Sequence, residues 1–159
     1  MPLAVIIMGS KADIPHCGAI RKELEKFGIP SIMRIASAHK TPIKVLEILN
    51  EYEKEADVFI TVAGKSNALS GFVDSHTSKP VIACPPYSEQ FSGVDLYSSL
   101  RMPKGVAPMV VLEPDQAALA AAKIIGLKSD EVREAVRQYR KKLQEEIEKA
   151  DKELFDGQR

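Results

Sequence analysis

Three short polar segments carry the residues that are best suited to chemistry. They read GSKAD at 9–13, SAHKTP at 37–42 and GKSNALSG at 64–71, and each follows a run of apolar residues. Serine hydroxyls, lysine ammonium groups and backbone N–H groups at a helix start bind phosphate or carboxylate. A histidine exchanges protons near neutral pH. Together the segments predict an anion-binding pocket that contains one acid–base group.

The first segment offers Ser10 and Lys11 to an anion. Asp13 would repel a phosphate, so we expect its carboxylate to accept a hydrogen bond from a sugar hydroxyl instead. A structural alternative stays open, because serine and aspartate are also common caps at the start of a helix.

The second segment contains His39, which is followed by Lys40. Of the three histidines, His39 alone falls at the end of a predicted strand, and the lysine beside it can balance the charge of an anion. A histidine in a loop is often structural, which remains the alternative. We expect His16 to lie inside a helix, without a metal shared with the neighbouring Cys17, and His76 to lie on the surface.

The third segment begins with Gly64 and is rich in small residues, which allow a ligand to approach the backbone. Ser66 is placed to begin a helix whose N-terminus faces the pocket. A plain turn with a helix cap is the alternative. Two further polar loops follow at 85–87 and 98–103, and Arg101 in the second loop suits an anion or a carboxylate of another subunit.

Apolar runs and helical patterns alternate along the chain and must position these segments. Helical spacing marks residues 13–27, 42–52 and 116–125, with Gly28 as a C-terminal cap and Thr41 as an N-terminal cap. We expect strands at residues 3–8, 31–36, 58–63, 80–84 and 108–112, and the first of them has the apolar pattern of a strand buried on both faces.

This alternation predicts a three-layer α/β fold with a parallel five-stranded sheet. We expect a flavodoxin-like (Rossmann-like) arrangement with the strand order 2-1-3-4-5. Ligands of such folds bind beyond the carboxyl ends of the strands, near the switch between strands 1 and 3. The three polar segments all fall at that edge of the sheet.

The C-terminal region differs from the rest of the chain. Between residues 129 and 154, apolar side chains recur at steps of three and four among charged residues, which indicates one long amphipathic helix. A helix of about 25 residues spans roughly 38 Å, more than one small domain covers. We therefore expect a catalytic α/β domain at 1–127 and a C-terminal helix at 128–159 that packs between subunits. Packing on its own core is the alternative.

Length and composition limit the classes of function. The 159 residues suffice for one domain, and 22 basic residues balance 22 acidic ones, so bulk binding of nucleic acid or of a charged membrane is not expected. No apolar run approaches the roughly 20 residues of a membrane span. The sequence has only two cysteines, so we expect no disulfide framework and predict a cytoplasmic protein. No residues have the spacing of metal ligands, so we expect that it uses no metal.

The loops resemble one known family. MGSKAD at 8–13, SAHKTP at 37–42 and AGKSNALSGF at 63–72 are similar to motifs of the aminoimidazole ribonucleotide carboxylase/mutase family of purine biosynthesis. The resemblance extends over residues 3–127. One branch of this family carboxylates the ribonucleotide with CO₂, and the other is a mutase that rearranges the N-carboxylated ribonucleotide.

Several positions distinguish the two branches. The loop at 65–71, ACPP at 83–86, YSSLRMP at 97–103 and Lys40 resemble the carboxylase branch. Mutases usually have a Gly-Ala-rich loop that ends in His-Leu-Pro-Gly after strand 3. The sequence departs from the usual family pattern at Ala12, Lys65 and Lys104.

The resemblance implies a concrete reaction. CO₂ carboxylates carbon-4 of 5-aminoimidazole ribonucleotide, reversibly and without ATP, to give the 4-carboxy ribonucleotide of de novo purine (IMP) biosynthesis. By analogy with the family, His39 transfers the proton of that carbon, and no cofactor takes part. The residues implied in binding substrate are Ser10 and Lys40 for the phosphate, Asp13 for a ribose hydroxyl, and Ser37, Gly64, Lys65 and Ser66 for the base and CO₂.

Two other functions stay open at this point. A mutase would form the same product from the N-carboxylated ribonucleotide, and a phosphosugar- or nucleotide-binding module would use the pocket without catalysis. Because many family members form homo-octamers, the resemblance also implies a homo-oligomer, either an octamer or a tetramer, that the C-terminal helix holds together.

Overall fold

The computed structural model describes residues 1–158 and contains one sheet in which all neighbouring strands run parallel. Its five strands follow the order β2-β1-β3-β4-β5, so the predicted fold class and strand order are confirmed. The edge strand β5 has two residues, fewer than its apolar run predicted, and both pair with β4. The strands are β1 (Ala4–Met8), β2 (Ser31–Ile35), β3 (Val58–Val62), β4 (Val81–Ala83) and β5 (Met109–Val110).

Helices cover both faces of this sheet. They are α1 (Ile14–Glu25), α2 (Pro42–Tyr52), α3 (Leu69–Asp74), α4 (Pro114–Ile125) and α5 (Asp130–Asp156), with 3₁₀ turns at Lys11–Asp13, Glu89–Phe91 and Val94–Ser99. Within the described chain, the connection from β4 to β5 contains two of these turns and no α-helix, unlike the other crossovers. No helix in residues 1–158 is long and apolar enough to cross a membrane.

The side chains of the central strands alternate between two cores. Ile6 and Met8 of β1 point into a core formed with α1, α4 and the start of α5, whereas Val5 and Ile7 point into a second core with α2 and α3. All five residues of β1 and of β3 are buried. This burial explains why β1 is apolar throughout and why β3 is apolar except at Thr61, as is typical of parallel strands covered on two faces.

Gly28 ends helix α1 in a left-handed backbone conformation. Gly28 has a φ of 68°. Its N–H donates to the carbonyl of Glu25 (3.0 Å), and the N–H of Ile29 donates to the carbonyl of Leu24 (3.1 Å). These two bonds form a Schellman motif, so Gly28 is the predicted C-terminal cap.

The long helix α5 belongs to the α/β unit along only part of its length. Ser129 caps it by accepting a hydrogen bond from the N–H of Val132 (3.3 Å). Val132 and Val136 are buried in the first core, and the ring of Tyr139 meets that of Phe27 edge-on, with centroids 5.3 Å apart. The 27 residues extend over about 40 Å, and the later turns leave this core.

Two glycines in and just after α1 provide a matched test of this description. Gly28→Ala should lower the free energy of unfolding by about 1–2 kcal/mol, because an L-residue is disfavoured in the left-handed region. Gly18→Ala, inside α1 with no atom within 4 Å of the new Cβ, should instead raise it by about 0.5–1 kcal/mol. Urea denaturation of both variants at one protein concentration measures the difference. A Gly28→Ala variant as stable as the parent would contradict the assigned cap.

Candidate active site

A cavity of about 570 Å³ opens at the carboxyl ends of β1, β2 and β3. The three polar segments converge there because β1 pairs with β2 on one side and with β3 on the other, with Met8 opposite both Ile35 and Val62. All eight residues predicted for the site line this cavity: Ser10, Asp13, Ser37, His39, Lys40, Gly64, Lys65 and Ser66. Arg101 does not; it lines a separate, more open groove.

The turn after β1 is held by reciprocal hydrogen bonds. The hydroxyl of Ser10 accepts from the N–H of Ala12 (3.2 Å). The Oδ2 atom of Asp13 accepts from both the N–H (3.2 Å) and the hydroxyl (3.3 Å) of Ser10. These bonds form a capping box around one 3₁₀ turn. Ser10 and Asp13 therefore do act as caps, which was the alternative to a binding role in the sequence analysis. Both side chains still face the cavity, so capping leaves a binding role open to them.

The turn after β2 presents His39 to the cavity. Thr41 Oγ1 accepts from the N–H of Ser37 (2.9 Å), and the Ser37 hydroxyl accepts from the N–H of Lys40 (3.2 Å). Thr41 stands at the N-cap position of α2, as predicted, but its side chain makes no capping hydrogen bond, because its Oγ1 closes the 37–41 turn instead. His39 and Lys40 are exposed at its tip. An exposed imidazole there is free to exchange protons with a ligand.

The segment after β3 adopts a conformation that local sequence did not indicate. Lys65 has a φ of 59°, unusual for a residue with a side chain. The prediction that Ser66 begins a helix is wrong, because α3 starts at Leu69. The side-chain oxygen of Asn67 accepts from the N–H of Ser70 (3.2 Å) and so fills the role of a cap. Lys65 and Ser66 are thereby left exposed on the cavity wall.

The segment between β4 and β5 also lines the cavity, and two of its lining residues, Ser88 and Asp95, were not named in the sequence analysis. Tyr87, Ser88 and Asp95 line the cavity together with Pro86. Asp95 Oδ2 accepts a hydrogen bond from the N–H of Lys65 (2.8 Å). The sequence analysis identified polar loops at 85–87 and 98–103 in this connection. Asp95 faces the cavity because it contacts the loop after β3, which lies 30 positions earlier in the sequence.

The charged groups of the cavity nearly balance. Lys40 and Lys65 oppose Asp13 and Asp95, and both carboxylates already accept backbone hydrogen bonds. Within residues 1–158, neither Lys40 nor Lys65 forms an ion pair, so both ammonium groups are available to an anionic ligand. Together with His39 and the serine hydroxyls, they suit a phosphorylated ligand whose reacting atom needs a proton removed or supplied.

The other titratable groups of reactive type lie elsewhere. Cys17 and Cys84 are buried, and burial raises the pKa of each thiol to about 12, so neither is a nucleophile near neutral pH. His16 Nε2 lies 3.1 Å from the carbonyl oxygen of Cys84, and burial lowers the pKa of this imidazole. His76 is exposed and lies outside the cavity, as expected. Residues 1–158 contain no cluster of three or more His, Cys, Asp or Glu side chains placed to hold a metal ion.

Comparison with known proteins gives one consistent result. The sequence profile of the AIR carboxylase family matches residues 3–146. A phosphoribosylaminoimidazole carboxylase of Archaeoglobus fulgidus is 64% identical over 151 residues, 95% of this chain and 84% of that protein. One of Treponema denticola is 48% identical over 155 residues, 96% of this chain and 98% of that protein. The crystal structure of Treponema denticola PurE superposes with a TM-score of 0.94, at 47% identity, over 97% of this chain and 99% of that one.

Proposed function

The chain belongs to the AIR carboxylase family, and we propose that it joins CO₂ to 5-aminoimidazole ribonucleotide in its cavity with His39 as the proton-transfer residue. The family and enzyme class that the loop motifs predicted are confirmed by the relatives at 64% and 48% identity. The observation that carries the residue assignments is the convergence of all eight predicted side chains on one cavity. The reaction belongs to purine biosynthesis.

The chemistry needs little more than positioning and one proton transfer. The amino group of the ribonucleotide makes ring carbon-4 nucleophilic, and this carbon forms the new bond to CO₂. The attacked carbon then carries both hydrogen and carboxylate, and loss of its proton restores the aromatic ring. The exposed imidazole of His39 takes that proton and passes it to solvent. Because CO₂ is apolar and weakly held, most of the rate must come from holding it against carbon-4.

The arrangement of the loops supports one orientation of the substrate. The Ser10 turn follows β1 and lies between the loops that follow β2 and β3. A phosphate at Ser10 and Lys40, with a ribose hydroxyl at Asp13, would extend the base toward the remaining wall. That wall comprises Ser37, Gly64, Lys65 and Ser66, which we assign to the base and CO₂.

The long helix supports assembly into a homo-oligomer. Leu143, Ile147 and Leu154 lie along one side of α5, beyond the turns that contact the core, and are 42%, 72% and 64% exposed. An apolar stripe of this kind on a protruding helix is typical of a surface that another subunit covers. A second copy of this chain fits best, as an octamer or a tetramer. The cytoplasmic location expected from the cysteine content stays a prediction.

The first prediction distinguishes the carboxylase from the mutase. With 5-aminoimidazole ribonucleotide as substrate, the rate should rise with added bicarbonate and carbonic anhydrase, without ATP and in the presence of EDTA. The N-carboxylated ribonucleotide should react no faster than it loses CO₂ unaided. Ultraviolet absorbance of the product follows both reactions. Rapid, bicarbonate-independent conversion of the N-carboxylated compound would assign a mutase, and binding of ribonucleotide without turnover would assign a binding module.

A second prediction concerns the proton transfer. His39→Asn should bind the ribonucleotide with a nearly unchanged KM but lower kcat by about 10²–10⁴-fold, which is the usual contribution of general acid–base catalysis. His76→Asn is the matched control, because His76 is also exposed but lies outside the cavity. Steady-state kinetics measure both variants. A folded His39→Asn variant with the turnover of the parent would remove this residue from the mechanism.

A third prediction concerns the assembly. The double variant Leu143→Gln/Ile147→Gln should lower the oligomer size measured by light scattering, because it makes the exposed stripe polar while leaving Val132 and Val136 in the core. The control is Lys142→Gln/Glu146→Gln, which adds the same residues one position earlier on the helix. It should keep the parental size. If both variants assemble as the parent does, the stripe does not hold subunits together.

A further inference from the structure

The peptide groups on both sides of Lys65 are bound by the segment that precedes β5. The N–H of Lys65 donates to Asp95 Oδ2 at 2.8 Å. The Ser98 hydroxyl lies 3.0 Å from the carbonyl oxygen of Lys65 and 2.8 Å from that of Asp95, and it can donate to one of them at a time. The same hydroxyl accepts from the N–H of Asn67 at 3.0 Å. The loop after β3 is therefore held by hydrogen bonds from Asp95 and Ser98, which lie in another segment of the chain.

A buried hydrogen bond between Asn67 and Ser99 also joins the two segments. The side chains of Asn67 and Ser99 are 5% and 2% exposed, and the Asn67 amide nitrogen donates to the Ser99 hydroxyl at 2.9 Å. The carbonyl oxygen of the same amide accepts from the N–H of Ser70 at the start of α3. One asparagine thus joins the loop, the helix after it and the 94–99 turn. We call Asp95, Ser98, Ser99 and Asn67 the loop clamp.

The loop clamp stabilises an unfavourable backbone conformation in the loop after β3. Lys65 occupies the left-handed region without being glycine, and such a conformation persists only where surrounding contacts determine it. The 3₁₀ turn Val94–Ser99 supplies those contacts, because it presents Asp95, Ser98 and Ser99 on the side that faces the loop. Asp95 also lines the cavity, so the contact lies at the wall where Lys65 and Ser66 are exposed.

We propose that Asp95 is a positioning residue, which through its hydrogen bond to the Lys65 N–H fixes the wall of the cavity against which CO₂ meets the substrate. The proposal rests on the proposed function, since it concerns the same site. It gives a role to a carboxylate that the mechanism does not otherwise use. It also makes the loop at 65–71 and the motif at 97–103 one structural unit, although they lie about 30 positions apart in sequence.

Kinetics of three variants test this role. Asp95→Ala removes the acceptor and should lower kcat/KM for CO₂ by about 10- to 100-fold, the scale expected when a reacting group is misplaced by about an ångström. The KM for the ribonucleotide should change less than about twofold, because the Ser10 and Lys40 turns that we assign to its phosphate are closed by hydrogen bonds of their own. Asp95→Asn keeps an oxygen that accepts from Lys65 and should recover most of the activity. Glu89→Ala, an exposed carboxylate of the same segment outside the cavity, should match the parent.

Hydrogen–deuterium exchange provides a readout that needs no substrate. Amides of residues 64–70 should exchange faster in Asp95→Ala than in the parent, Asp95→Asn or Glu89→Ala. Ser98→Ala, which loses the contacts to Lys65 and Asn67, should show the same acceleration and the same kinetic pattern to a smaller degree. This second variant decides the question if Asp95→Ala does not fold.

The outcomes separate this inference from the proposed function. A parental protein that does not carboxylate the ribonucleotide overturns the proposed function and this role with it. If the parent is active, unchanged exchange in Asp95→Ala overturns the clamp, and faster exchange with unchanged kcat/KM overturns its effect on catalysis. An Asp95→Asn variant as impaired as Asp95→Ala, with a raised ribonucleotide KM, would show that the carboxylate contacts substrate directly and would also overturn the positioning role.

Discussion

The site depends on one constraint, which is that the adjacent strands β1, β2 and β3 end at the same height in the sheet. Because β1 pairs in register with both β2 and β3, the chain leaves the sheet at one height in three neighbouring places. Burial of β1 and β3 on both faces fixes that register, since a slip of one residue would exchange the two cores. Loops that are far apart in sequence thereby share one cavity. The meeting of the predicted site residues therefore follows from the register that the two cores impose on the strands.

Within that frame, the three loops are held in different ways. The turns after β1 and β2 are closed by side chains of their own, through the Ser10–Asp13 and Ser37–Thr41 hydrogen bonds. The loop after β3 is held by the distant residues Asp95, Ser98 and Ser99. Two walls of the cavity are therefore locally determined, whereas the third depends on the β4–β5 connection. In the proposed orientation, this third wall is the one that would meet CO₂.

The C-terminal helix combines two functions along one amphipathic pattern. Its first turns bury Val132 and Val136 and contact Phe27 through Tyr139, so they stabilise the α/β unit. The later turns carry the same apolar spacing but leave Leu143 and Ile147 exposed, beyond the reach of the chain's own core. Of the two interpretations considered from the sequence, packing on the chain's own core holds for the first half of the helix, and packing on another subunit is proposed only for the second half. The first half is seen in the structure, and the second remains the proposal made above.

The sequence by itself predicted where the five strands lie, apart from the shorter β4 and β5, together with their order and eight of the residues that line the cavity. It could do so because buried parallel strands are predominantly apolar, and because the site lies at the strand ends that such runs mark. The Gly28 cap was likewise readable, since its geometry requires a residue without a side chain. Only the tertiary structure decided that the Thr41 side chain closes a turn rather than bonding to α2, that α3 does not begin at Ser66, and that Asp95 faces the cavity. Polar side chains can bond to many partners, and the partner of Asp95 lies 30 positions away, where no local pattern reaches it.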